Sequence, residues 1–317
     1  MTENGNQETR QDQQANEPSR VSRRAFTRGA AAAAAVAGAA AAGAIGWTAT
    51  REPEAHDPYS VSRTINAHRV GAVPHDPLDG AWDAHEPVVI PLMPQHVANP
   101  RLQHEDGFTE RMWIRSLHDG NEVAFQLGWE CDAAHDIEAI SRFTDSVAVQ
   151  FPVDPEMPTS AMMGQPGRPV HILQWRASWQ REVEEGARQV RDAFPNVWSD
   201  LRPEDVFDED AVTVYYPARH VGNIAAGQDR TSAVEEIISE GFGSITTHEQ
   251  QRAEGSASFQ DGQWTVVMTV PIQGSATQAT FRPGERSLVA VALWDGGKGD
   301  RGARKQWGGW MRLELES

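Results

Sequence analysis

The 317-residue chain carries 45 Asp and Glu against 28 Lys and Arg, a formal net charge of −17, and only one cysteine, Cys131. Acidity on this scale disfavours nucleic acid and anionic membrane surfaces, and it suits a protein working in concentrated salt, where screening is severe. The single cysteine excludes an intramolecular disulfide framework, a Cys-x-x-Cys-His covalent haem site, a cysteine-ligated iron–sulfur cluster and a four-thiolate zinc site.

From the start of the chain, a polar leader runs to Arg20 and gives way to Ser22-Arg23-Arg24-Ala25-Phe26 and an Ala/Gly run from Gly29 to Ala49. Twin arginines before a weakly apolar stretch resemble a twin-arginine export signal, and the expected destination is extracytoplasmic. The run has about the length of a transmembrane helix, but alanine and glycine make it a poor anchor. Whether the signal is cleaved stays open. The expected plan is therefore a leader plus signal over residues 1–50, an extended lead-in over 51–84 and one folded domain over 85–317.

In the lead-in only Ile65 to Val73 looks strand-like. Glu86 to Leu92 reads as an edge strand, because Pro91 and Pro94 withhold ladder donors. Thr109 to Leu117 and Glu122 to Trp129 alternate about His118-Asp119-Gly120-Asn121 and predict a hairpin. Asp132 to Phe143 has helical spacing at Ile137, Ile140 and Phe143. Strands follow at 145–152 and 169–175 around a long Pro/Gly-rich loop, then a polar helix over 177–193, an acidic loop over 195–210 and short strands at 211–216 and 245–248. A second hairpin spans 255–259 and 264–272, and two final strands run at 287–294 and 306–315. About ten short strands with close turn signals and no βαβ rhythm predict a mainly β fold. Its expected form is an antiparallel β-sandwich, immunoglobulin-like or sugar-binding-module-like, with one or two peripheral helices.

Motifs for hydrolysis, phosphate cradling or dinucleotide binding are missing from the sequence. None of the eleven histidines forms an i, i+4 pair, and His171, on a core-type strand, reads as a satisfied buried histidine. Two features stand out. Lys298 and Lys305 are the only lysines in the chain, and both lie in one Gly/Trp-rich segment between the last two strands. A lysine, unlike an arginine, can shed its proton and offer a lone pair. Met162 and Met163 lie in the loop before Gly164, where a thioether has no regular element to pack within; gap-filling is the alternative use of such residues. Thioether and neutral amine can both serve as axial ligands to a low-spin haem iron.

Five segments occur in order: Asp145-Ser146-Val147-Ala148-Val149-Gln150-Phe151-Pro152; Met163-Gly164 followed by Arg168-Pro169-Val170-His171-Ile172-Leu173-Gln174-Trp175-Arg176-Ala177; Glu240-Gly241-Phe242-Gly243; Asp261-Gly262-Gln263-Trp264; and Val291-Ala292-Leu293-Trp294-Asp295-Gly296 with Lys305 downstream. Together they resemble the haem b (gamma) subunit of type II enzymes of the dimethyl sulfoxide reductase family, known from ethylbenzene dehydrogenase, dimethyl sulfide dehydrogenase and selenate or chlorate reductases. The resemblance runs from about residue 85 to the C-terminus. It implies a β-sandwich holding one non-covalent haem b between Met163 and Lys305, with Met162 and Lys298 as the alternatives. It further implies an electron-transfer subunit without catalysis of its own. Its partners would be a molybdopterin alpha subunit, an iron–sulfur beta subunit, and an external electron carrier or quinol-oxidising membrane complex. The competing expectation is a secreted carbohydrate-binding sandwich without haem, and a weaker one is a haem-binding chaperone or sensor.

Overall fold

A computed structural model of the protein describes residues 63–97, 99–104, 107–157, 159–187, 194–197, 218, 221–226 and 230–317. The expected export signal, nearly all of the expected acidic loop and the strand expected at 211–216 lie outside the described residues. Among the described residues no helix is long and apolar enough to cross a membrane.

Among the described residues the strands are β1 (Thr64–Arg69), β2 (Val88–Pro91), β3 (Met93–Pro94), β4 (Arg111–His118), β5 (Glu122–Glu130), β6 (Ser146–Pro152), β7 (Val170–Arg176), β8 (Val234–Ser239), β9 (Thr246–Thr247), β10 (Glu254–Gln260), β11 (Gln263–Pro271), β12 (Arg286–Trp294) and β13 (Gln306–Leu315), and helix α1 (Ala177–Glu185) follows β7. They form one thirteen-stranded sheet in the order β10-β11-β5-β4-β1-β13-β12-β6-β7-β8-β9, with β2 on β4 and β3 on β13. The sheet curls over itself. A Cβ on Gly255 of β10 would lie 2.5 Å from the Val234 side chain of β8, so the two ends of the path pack together. The fold is a mainly β sandwich, made by folding one continuous sheet. Its main core draws on both halves, from Ile114, Phe125 and Val266 to Phe151, Leu173 and Leu313.

Both hairpins form where expected, but β5 and β11 are buried on both faces rather than alternating. β12 and β13 pair antiparallel with a register shift between Val289 and Val291, and β13 buries Met311, Leu313 and Leu315 while Arg312 and Glu314 reach outward.

Five features depart from the sequence reading. The boundary expected at residue 85 falls inside the folded unit, because β1 pairs with both β13 and β4 in mid-sheet and Trp82 is fully buried. Those two pairings are parallel, so the sheet is not wholly antiparallel. Residues 132–143 form no helix: Ser141 takes a φ of 60°, which breaks a right-handed helix, and Ile140 is 83% exposed. β8 was not expected at all, since Glu235 and Glu236 interrupt its apolar alternation. Helix α1 stops at Gly186, whose φ is 91°; the rest of the expected helix, from residue 188 to 193, lies outside the described residues.

Candidate cofactor site

The strands β12, β6, β7 and β8 have one face in the core and another that is also largely covered. On that outer face β6 presents Ser146, Ala148 and Gln150, while β7 presents Ile172, Gln174 and Arg176. This is the alternation of a strand, and it makes the floor of a cavity of about 540 Å³. The volume lies within the range of cofactor and ligand sites. Small side chains, Ala148 and Ala292, leave the depth. Three loops wall it in: the 159–168 loop, the 240–245 turn and the 300–305 segment.

The first wall carries Met163, whose backbone sits at φ 68°, an uncommon conformation for a side chain larger than glycine. Such outliers persist only where the surroundings over-determine them. Here the Gly241 N–H donates to the Met163 carbonyl at 2.7 Å and the Gly164 N–H to the Ser160 carbonyl at 3.0 Å. Gln150 Nε2 donates to the Ala161 carbonyl and Trp310 Nε1 to the Thr159 carbonyl. Gly164 is required as glycine: its φ is 80°, and a Cβ there would lie 2.7 Å from the Ser239 carbonyl oxygen.

The opposite wall carries Lys305, one residue before β13. The Gln95 N–H fixes its carbonyl at 2.8 Å, and Arg301 and Arg304 exchange backbone hydrogen bonds just ahead of it. Trp294 Nε1 donates to the Gly302 carbonyl at 2.9 Å. The Lys305 side chain is buried, and its Nζ stands 4.7 Å from the centroid of the Trp294 ring. Burial, with no ion-pair partner among the described residues, draws its pKa from 10.5 down to about 8, so a neutral amine is within easy reach.

Lys305 Nζ and Met163 Sδ face each other at 4.0 Å. Metal–nitrogen and metal–sulfur bonds of about 2.0 and 2.3 Å laid end to end span about 4.3 Å. The donor spacing and the donor types therefore fit a metal held between the two side chains, above a floor of mixed small, apolar and polar residues.

Of the four residues singled out in the sequence, the structure brings Met163 and Lys305 together. Met162 also lines the cavity, with its N–H on Ser160 Oγ. Lys298 points elsewhere: its Nζ is 3.1 Å from Asp295 Oδ2 and donates to Thr109 Oγ1 at 3.1 Å. The floor residues Gln150, Gln174 and Ala292 were not anticipated. Their only sequence signal was polar or small side chains at alternate positions of otherwise apolar strands. His171 is a satisfied core histidine, with Nε2 2.9 Å from Glu236 Oε2 and both side chains fully buried.

A sequence profile described as ethylbenzene dehydrogenase matches residues 79–306. A Haloferax mediterranei protein bearing the name of a respiratory nitrate reductase haem subunit is 23% identical over 242 residues, covering 76% of this chain and 68% of its own. Among solved structures, a family 9 carbohydrate-binding module from Caldicellulosiruptor kristjanssonii with glucose aligns at TM-score 0.39 and 9% identity, over 80% of this chain and 96% of that one. The same module with cellotriose gives 0.38 and 8%, over 80% and 94%. Nothing about ligands follows from likeness at that level.

Proposed function

The chain belongs to the ethylbenzene dehydrogenase family, and from that premise we propose that it is a haem b electron-transfer subunit of an extracytoplasmic respiratory oxidoreductase of the nitrate reductase type. The observation that carries this reading is the 4.0 Å approach of Lys305 Nζ to Met163 Sδ over the wall of a 540 Å³ cavity. A carbohydrate site has no use for a buried amine opposed to a thioether. The relative named as a nitrate reductase haem subunit supports the cofactor class and the kind of complex.

Bound there, haem supplies reversible one-electron chemistry. Met163 and Lys305 would hold the iron, burial makes the Lys305 amine easier to deprotonate, and the Ala148, Ile172 and Ile237 side chains would help to exclude water. Methionine ligation raises the potential of such an iron. Catalysis belongs to a molybdopterin alpha subunit, reached through an iron–sulfur beta subunit, and an external carrier or quinol-oxidising membrane complex completes the path. The twin-arginine segment sends the folded protein across the membrane, and the acidic surface keeps it soluble in salt.

The test is an absorption spectrum of the full-length protein folded with haem. A low-spin b-type spectrum that is lost in both Met163→Ala and Lys305→Ala is the expected result, and normal haem retention in both variants overturns the ligand assignment. Copurification with a molybdenum-containing subunit tests the partners.

A further inference from the structure

Four ligand-type side chains outside the cavity converge where three strands end. Cys131 follows β5, His135 lies in the connection to β6, Asp145 directly precedes β6, and Asp295 directly follows β12. One ligand atom from each lies within 4.8 Å of all the others. Asp145 Oδ2 is 3.8 Å from Cys131 Sγ and 3.6 Å from His135 Nδ1. With metal–ligand bonds of about 2.0 to 2.3 Å, the edges of a tetrahedral site measure about 3.3 to 3.5 Å. These two edges exceed that range by a few tenths of an ångström and the other four lie within 4.8 Å, a gap that a bound ion would close.

The group also has the supports that a metal site needs. Cys131, Asp145 and Asp295 are buried. The Asp145 carboxylate is aimed by three donors, the backbone N–H groups of His135 and Gly296 at 2.8 Å and Trp264 Nε1 at 2.9 Å. Thr109 Oγ1 stands 3.5 Å from Asp295 Oδ2. Oriented carboxylates of this kind are the outer support that metal sites rely on. His135 Nδ1 is shielded from solvent and has no hydrogen-bond partner, an orphan that a metal bond would satisfy. Lys298, Thr109 and Cys131 line a separate cavity of about 910 Å³, which gives an ion a route in.

We propose that Cys131, His135, Asp145 and Asp295 form a structural site for one zinc-class divalent cation, with the Lys298 ammonium as the counter-charge that Asp295 keeps when no ion is bound. One sulfur, one imidazole nitrogen and two carboxylate oxygens suit a borderline-soft tetrahedral ion; calcium and magnesium demand six or more oxygens. Binding forms the S–metal bond as the Cys131 thiol gives its proton to solvent, without change of oxidation state, and the Lys298 side chain turns outward. The site would clamp the base of the 295–305 segment, which ends in Lys305. The inference does not rest on the haem reading, because none of its four ligands lines the 540 Å³ cavity.

The experiment loads full-length protein, stripped with a chelator, with zinc chloride and separately with cobalt(II) chloride. One equivalent of zinc per chain is expected, with a raised melting temperature. Cobalt should give the visible bands of a tetrahedral ion and a thiolate charge-transfer band. Cys131→Ser and His135→Gln should each weaken zinc binding at least tenfold while leaving haem uptake unchanged. Lys298→Ala should tighten zinc severalfold. Less than stoichiometric binding by the unaltered protein, a cobalt adduct without the thiolate band, or unchanged affinity in Cys131→Ser overturns the site. Weaker binding in Lys298→Ala overturns the counter-charge role. The cobalt spectrum of the unaltered protein decides even where a variant fails to fold.

Discussion

Gly241 and Met163 are joined backbone to backbone, the Gly241 N–H donating to the Met163 carbonyl at 2.7 Å. This bond makes the 240–243 turn a strut for the methionine loop, holding a residue whose φ of 68° it would not keep unaided. The 240–243 turn and the Met163 loop are far apart in sequence, and their shared role is a product of the sheet.

Gly164 is the steric limit of that loop. Gly164→Ala places a Cβ 2.7 Å from the Ser239 carbonyl at a φ of 80°, whereas a Cβ at Gly167, at φ 74°, meets nothing within 4 Å. Strain alone costs roughly 1 kcal/mol at each position. Gly164→Ala is expected to lose about 1 to 2 kcal/mol more and to release haem. Urea denaturation and haem titration of the two variants measure the difference.

The two lysines should separate cleanly. Lys298→Ala breaks an ion pair at Asp295 and is expected to leave the haem spectrum intact, whereas Lys305→Ala abolishes its low-spin bands. Met162→Ala should likewise retain what Met163→Ala loses. Reduced-minus-oxidised spectra of the four variants decide this.

Lys305 makes haem-free protein sensitive to alkaline pH in a definite direction. Burial lowers its pKa from 10.5 to about 8, so the unfolded chain binds the proton more tightly than the folded one. The resulting cost, about 3 kcal/mol, is present in full below pH 8, shrinks between pH 8 and 10.5, and is gone above that. Lys305→Met should therefore be more stable than the unaltered haem-free protein at pH 7, with the gap closing towards pH 10. Urea midpoints across that range check it.

Glu236 is the core's most exacting charge. Burial alone would raise its pKa, but the His171 side chain and the Arg252 and Ala253 amides overcome burial and hold it below the ordinary value. Burial likewise lowers His171, against the pull of Glu236. Below pH 6.5 the unfolded chain takes up a proton that native His171 refuses; below 4.5 unfolded Glu236 does the same. Stability should fall in both windows. Glu236→Gln sets an amide against these donors and should cost about 3 to 5 kcal/mol. Its remaining stability should vary less with pH below 4.5, read from melting curves at pH 7, 5 and 4.

Much of the architecture was legible because its strands have two different faces. β13 alternates along its length, so that burial of one face dictates register; the 109–130 hairpin was marked instead by its turn residues, since β5 is buried on both faces. β8 was hidden because the Glu236 carboxylate finds its partners on β7 and in the chain before β10, none of them adjacent in sequence. Residues 132–143 gave a helical period with no helix, since their backbone is claimed by the buried Asp145, whose carboxylate takes the His135 N–H. The strand at residues 64–69 was legible as a strand-like run, but its parallel pairing has no local signature, because its partners lie at residues 116–118 and 312–315.

At the candidate site, composition and loop position set Lys298 and Lys305, and Met162 and Met163, apart, and only the family's motifs suggested pairing Met163 with Lys305. The sequence by itself determined the pool of donors: two lysines, loop methionines and one cysteine, on a chain rich in short amphipathic strands. Only the tertiary structure decided between them, because a lysine's chemistry depends on its surroundings. Lys298, beside Asp295, remains an ion-pair partner. Lys305, seven residues later, is buried against Trp294 with no counter-charge and faces Met163. Desolvation is a property of the folded surroundings, and no pattern of residue types along the chain contains it.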